Sequence, residues 1–560
     1  MSGEPEDDAA GGRRSGSRAM LVAAGILLSR LAGFAREALV ARFLGVGAFA
    51  DVYGTAMRLP NLLQNLLGEQ ALSAAFIPTY SRMVHEGRRR EAARFAGAIA
   101  GLVLLAAAGL ALLGVLAARP LVAVFAAGYL KDAEKVAAGT MPLDRFAVSV
   151  DLVRIVFPMT GVLVLSAWAL GVLNSHRRFF LPYAAPVLWN AAIVSALLWW
   201  GGHVLAGRVD AAAKTQLLHV VAWAAFVGAI LQLAVQLPMV SRLLTGFRLS
   251  LGRGVPEVPA ALRAFGPAVA GRGVVQLSGY LDAFLGTLLA AGAVSAQRYA
   301  LTLYMLPIGL FAASVAAVEL PELSRLQAEG DDARLRRVEG GVRQIAFLTL
   351  PTLVGFLAFG WLVVGLVFGG GEFGSQDQAL VALTLAGYTL GLLPTTIGRL
   401  LQNLFYSLHE TRYPARVATA RVAVSAALGA ALMIWLDRFG VLTLFAGPAR
   451  GDELRLGAVG LAIGSAAGGW LELALLLRGA RLRLPRSVLP WGALARMATL
   501  ALVAAAPAGA LWWLLANGSL GAWPRGLWAL AVLALYALAY LGGAVALRFP
   551  ETRAWLGRLR

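Results

Sequence analysis

Apolar stretches of about 20 residues recur along the whole of this chain, and each is long enough to cross a bilayer as a helix. Fourteen can be read, over roughly 19–45, 48–84, 90–118, 146–174, 180–202, 215–241, 259–292, 294–326, 341–369, 379–409, 414–436, 457–478, 490–516 and 526–548. Only 14% of the 560 residues are charged and 59% are hydrophobic, against about 25% charged in a soluble domain. The pattern predicts an all-α polytopic membrane protein. Cysteine is absent, which excludes disulfides, thiolate chemistry and Cys-ligated metal.

The connections fix a direction. Arg13, Arg14 and Arg18 precede the first stretch, and every second connection is again basic, as at Arg88–Arg90, Arg177–Arg178, Arg334–Arg337 and Arg478–Arg486. The intervening ones, such as 45–48, 291–298, 369–378 and 517–526, are poor in basic residues. Positive loops stay cytoplasmic, so both termini are expected in the cytoplasm. The same pattern accounts for the net charge of +19 without nucleic acid. Residues 1–18 are polar and small, and disorder is expected there. No signal peptide is expected, because the apolar run after Ala19 continues without a clear cleavage site.

Residues 29–79 break the apolar pattern. Arg30, Arg36, Glu37, Arg42, Asp51, Arg58 and Glu69 lie within the first two spans. A charge at membrane depth costs roughly 3 kcal/mol on insertion scales and persists where it pairs or faces water. The segment therefore predicts a hydrated cavity of positive character. Arg30 and Glu37 are seven residues apart and should share a helix face. Prolines punctuate several spans, among them Pro60, Pro78, Pro158, Pro267, Pro307 and Pro321. Broken helices at this depth line cavities or pack on protein.

These residues resemble the MurJ/MviN family, flippases for lipid-linked peptidoglycan precursor within the multidrug/oligosaccharidyl-lipid/polysaccharide exporter superfamily. The likeness is carried by SRLAGFAREALVARFLG at 29–45, AD at 50–51, RLPNLL at 58–63 and GEQALSAAFIPTYS at 68–81. It continues in LPIGLFAASVAAVELPELSRL at 306–326 and FYSLHETRYP at 405–414. The resemblance implies 14 transmembrane helices: an N-lobe at 19–250, a C-lobe at 251–484, each of six helices around a central cavity, and two C-terminal helices within 485–560. It implies a monomer of the bacterial cytoplasmic (inner) membrane whose partners are the lipid-linked precursor and membrane lipids. Translocation to the outer leaflet would proceed by alternating access, without covalent catalysis and without a cofactor beyond a coupling monovalent cation.

By the same resemblance Arg30 and Arg36 take the place of cavity arginines that hold the diphosphate. Glu37, Asp51, Arg58 and Glu69 take the place of gate and ion-pair residues. A structural ion-pair role is the plainer reading for Arg42, Asp51 and Arg58. Two departures stand out. Gln64 and Asn65 occupy positions that are basic in the family, and Leu301 and Thr302 replace an Asp-Arg pair. Arg272 or Arg298 is expected to supply part of the missing charge. Asp282 and Ser465 are the candidates for a cation site, although the eleventh span offers it no carboxylate or amide. The alternatives are an exporter of another polyprenyl-linked glycan or drug, and a non-transporting cell-envelope scaffold.

Overall fold

A computed structural model describes residues 6–68, 72, 75–206, 210–309, 331–441, 454–484, 486, 488–517 and 525–552. Side chains are described within this set except at 6–21, 23, 62–63, 65–67, 203–206, 267–278, 331 and 525. The chain forms two compact units. One comprises Met1–Leu44 with Ala48–Leu288, the other Gly45–Gly47 with Leu289–Arg560. The division falls after the seventh long helix.

The first unit contains α1 (Glu6–Leu44), α2 (Ala48–Leu67), α3 (Arg89–Leu116), α4 (Arg145–Ser175), α5 (Pro186–Ala206), α6 (Ala211–Ala234) and α7 (Val258–Thr287). The second contains α8 (Ala293–Pro307), α9 (Asp331–Phe368), α10 (Ser375–Ser407), α11 (Arg412–Leu436), α12 (Gly457–Arg481), α13 (Trp491–Asn517) and α14 (Arg525–Ala546). Ten helices among the described residues, α3–α6 and α9–α14, are long and apolar enough to cross a membrane. Each coincides with an expected span. Helices α1, α2, α7 and α8 lie at the other four expected positions.

Two differences from the sequence reading have physical reasons. Helix α1 begins at Glu6, so residues 6–18 are helical rather than disordered. Acidic Glu6, Asp7 and Asp8 sit at its start, where the helix dipole favours negative charge. The second span, expected as one piece over 48–84, is α2 followed by a separate helix at Ile77–His85. Pro78 stands in the first turn of that second piece, where its missing N–H costs nothing. Residues 310–326 of the eighth span, including Pro321, lie outside the described residues.

The first unit is packed around aromatic rings. Phe76 stacks on Tyr80 at 4.9 Å and on Phe95 of α3 at 5.7 Å. In the second unit, α9 carries Pro351. A proline cannot donate to the carbonyl four residues earlier, here that of Phe347. The Tyr540 hydroxyl of α14 donates to that carbonyl at 2.9 Å, and the Tyr536 hydroxyl donates to the Pro351 carbonyl at 2.8 Å. The last helix, α14, is thus fastened to α9 at its proline.

Helices α11 and α12 meet backbone to backbone. A Cβ added at Gly460 would lie 2.6 Å from the Leu432–Met433 backbone, and one at Gly464 only 2.4 Å from Gly429. At Gly468 it would collide with Ser425. Small residues four apart permit such crossings where no hydrophobic effect drives helix association. The next position on this stripe, four residues on, is Glu472.

Candidate functional site

In the first unit, α1 lies against α5. Gly33 passes Asn190, whose side chain is buried and donates to the Pro186 carbonyl at 3.0 Å. One turn on, the Arg36 guanidinium lies 4.7 Å from the Trp189 ring centroid, within cation–π range. Its Nη2 donates to Glu37 Oε1 at 2.8 Å. The indole of Trp189 in turn donates to the Met159 sulfur of α4 at 3.3 Å. Arg36 is held on two sides, and its Nε is buried without a hydrogen-bond partner. Planar guanidinium groups suit phosphate because their fork donates two parallel bonds.

Arg30 is exposed while Glu37 is buried. The shared face expected from their spacing is therefore buried at one end and open at the other. Arg42 is exposed as well.

Asp51 stands in the first turn of α2 and is fully buried. It accepts from Arg145 Nη1 of α4 at 3.3 Å. Arg145 also donates from Nε to Asp132 at 2.5 Å, and lies 4.2 Å from the Tyr129 ring centroid. Lys135 reaches Asp132 at 3.2 Å, and the Tyr129 and Thr55 hydroxyls meet at 3.2 Å. Two acids and two bases thus join α2, α4 and the connection between α3 and α4. Tyr129 lies in that connection, and burial pushes its hydroxyl pKa up, so it remains neutral. The sequence reading placed Asp51 in an ion pair but did not name Arg145, because their pairing spans 94 residues.

Arg58, one turn beyond Thr55 on α2, lines a small cavity with Thr55, Leu59, Phe125, Tyr280, Ala283 and Thr287. Tyr280 of α7 donates to its carbonyl at 3.0 Å. Asp282 is half-buried on the same helix. Glu69 and the side chains of Arg272 and Asn65 fall outside the described residues; Gln64 is half-buried.

In the second unit, Arg298 is half-buried with its guanidinium 4.7 Å from the Tyr299 ring centroid. Its carbonyl accepts from Thr302 at 2.9 Å. Ser465 is half-buried on α12. No group of three or more His, Cys, Asp or Glu that would hold a metal ion gathers among the described residues. One constellation was not foreseen. On α10, α11 and α12, Gln402, Arg421 and Glu472 converge, with Arg399 close by. Its sequence signal was the four-residue ladder Gly460, Gly464, Gly468, Glu472.

Residues 40–533 match the family model described as lipid II flippase MurJ. A lipid II flippase MurJ of Burkholderia cenocepacia is 30% identical over 73% of this chain and 76% of its own length. A probable lipid II flippase MurJ of Rhizobium tropici is 32% identical over 74% of each. Among solved structures, a lipid II flippase MurJ in an inward closed conformation superposes with a TM-score of 0.69 at 20% identity, covering 94% of this chain and 99% of that one. An inward-facing MATE transporter of the MOP superfamily reaches 0.60 at 14% identity, over 81% and 94%. The solved structures share the fold; the family match over most of the chain, together with the two curated relatives, establishes that this chain belongs to the MurJ family of lipid II flippases.

Proposed function

We propose that this chain is a lipid II flippase of the bacterial inner membrane, moving the undecaprenyl-diphosphate-linked precursor from the cytoplasmic to the outer leaflet by alternating access. The observation that carries the reading is Arg36, which a family flippase holds inside the membrane against Trp189 and Glu37. Glu37 takes one of its donors and the buried Nε has no partner, which leaves this guanidinium able to bind an anionic ligand. Arg30, exposed one to two turns earlier, offers the first contact to a diphosphate. Arg272 and Arg298 supply charge that Gln64, Asn65 and Thr302 do not.

Glu37, Asp51, Arg58 and Glu69 act as gate and ion-pair residues in this reading. Flipping makes and breaks no covalent bond, so the chain is a transporter rather than an enzyme. It works as a monomer with fourteen transmembrane helices and both termini cytoplasmic. It uses no nucleic acid, and membrane potential or an ion gradient drives it. Asp282, with Ser465, is the place to look for a coupling monovalent cation.

The test is complementation of a strain depleted of its own lipid II flippase, paired with an assay of lipid II accessible at the outer face. The native chain is expected to restore growth and translocation, and Arg36→Ala to abolish both. Failure of the well-expressed native chain in both assays would overturn the proposal. The departures at Gln64 and Thr302 favour one second reading, an exporter of another polyprenyl-linked glycan. That reading predicts no rescue by the native chain but binding of a different lipid diphosphate.

A further inference from the structure

Helices α10, α11 and α12 place charge inside the second unit at one depth. At 1.5 Å per residue, Arg399 lies about 12 Å from Ser407, the end of α10. Arg421 and Glu472 each lie about 13 Å from Arg412 and Arg481, the matching ends of α11 and α12. The carboxylate of Glu472 is almost wholly buried. Arg421 Nη1 donates to its Oε2 at 2.6 Å, and Gln402 Nε2 donates to its Oε1 at 2.7 Å. Arg421 itself stays about a third exposed, at 32%.

Arg399 sits on α10 one turn before Gln402 and is exposed. It lies within electrostatic range of Arg421, Glu472 and the Tyr304 hydroxyl, and that hydroxyl donates to Thr395 at 3.3 Å. Among these described residues two guanidiniums face one carboxylate. A pair built only to hold α11 against α12 would be neutral. A second arginine at this depth adds insertion cost with no return from such a pair.

We propose that this cluster is an anion subsite for the phosphate group of a phosphate-bearing lipid. Glu472 is its resident counter-ion, which an incoming phosphate replaces on Arg421 while Arg399 takes the second oxygen. Gln402, an amide, donates equally well to carboxylate or phosphate. The subsite gives this chain cationic charge that the family pattern places elsewhere, at the positions of Gln64 and Thr302. The lipid diphosphate as preferred ligand rests on the proposed function; the anion chemistry does not.

The experiment uses the full chain in phosphatidylcholine nanodiscs, with farnesyl diphosphate and phosphatidylglycerol as separate probes and intrinsic tryptophan fluorescence as readout. Arg399→Gln is expected to weaken farnesyl diphosphate binding by about tenfold, the loss of one charge-assisted contact. Arg421→Gln should weaken it as well, whereas Glu472→Gln, which removes the internal competitor, should tighten it. Opposite signs for Arg421→Gln and Glu472→Gln are the signature of exchange. Equal weakening by both, in folded protein, would mean a structural pair and overturn the subsite. Should Arg421→Gln not fold, Arg399→Gln lies outside the buried pair, and binding unchanged by it is equally fatal. Arg399-dependent binding of phosphatidylglycerol alone keeps the subsite while removing the diphosphate cargo. Native protein that binds neither probe overturns the subsite, whatever its result in complementation.

Discussion

Two ionic networks in this molecule use the same residue types to opposite ends. In the first unit Asp51, Asp132, Lys135 and Arg145 are balanced, and Arg145 and both acids are buried to 1% exposure or less. In the second, Arg421 and Glu472 pair beside an extra Arg399, and Arg421 remains open at its edge. A balanced, closed network is worth most when nothing changes, because removing one member strands a buried charge. A network with spare charge and an open edge can trade partners. The difference lies in stoichiometry and access rather than in the strength of any one bond.

The sharpest way to break this comparison is Arg145→Gln. It should cost about 3–5 kcal/mol, the price of removing the guanidinium that two buried carboxylates share. Thermal unfolding of the purified protein in detergent measures it; a loss under about 1 kcal/mol would mean the network is not closed. Next comes Gly464→Val, which puts methyl groups where the Gly429 backbone already lies. It should cost about 1–3 kcal/mol by overpacking and also shift Glu472 away from Arg421. Gly509, with open space around it, is the control position, and an equal loss from Gly509→Val would refute the close crossing.

A smaller effect, about 1 kcal/mol, is expected for Glu472→Gln, because the arginines it leaves behind reach solvent or lipid phosphate. If Glu472→Gln destabilises as much as Arg145→Gln, the two networks are alike after all. The smallest effect concerns His176, just past α4, which accepts from or donates to the Tyr80 hydroxyl at 2.9 Å. Burial, with the charge of Arg89, lowers its pKa below the ordinary 6.5. The folded state therefore prefers it neutral. Its stabilising contribution is complete above pH 6.5 and is lost as the pH falls below that value, where the unfolded chain takes up the proton first. Melting curves from pH 7.5 to 5 should steepen less in His176→Gln than in native protein; identical slopes would remove His176 from the account.

The transmembrane fold is legible in the sequence because lipid imposes a local rule, about 20 apolar residues per crossing. The rule needs no knowledge of partners, and α3–α6 and α9–α14 obey it. Site geometry is not local. Asp51 announces itself as costly, yet nothing near it names Arg145. Arg421 and Glu472 meet across 51 residues, through a crossing that only the spacing of Gly460, Gly464 and Gly468 betrays. Arg30 and Glu37 show the reverse case. Their periodicity is right, but exposure depends on what packs against each turn, and a single helix cannot report that. Pro351 illustrates the remainder: the Phe347 carbonyl it orphans follows from the sequence, while Tyr540 as the donor to that carbonyl does not.

The backbone contact between α11 and α12 has a mechanical consequence. Side chains that interdigitate can slide by changing rotamer, whereas two backbones in contact have no compliant layer between them. The pair behaves as one stiff beam, and any motion it makes must be taken up in the segments that join it to its neighbours, between Ser407 and Arg412 and beyond Arg481. A beam of this kind keeps Arg421 and Glu472 in register throughout a stroke. Spin labels on the outer surfaces of α11 and α12 would then report a constant separation in every state, while labels spanning those end segments would not.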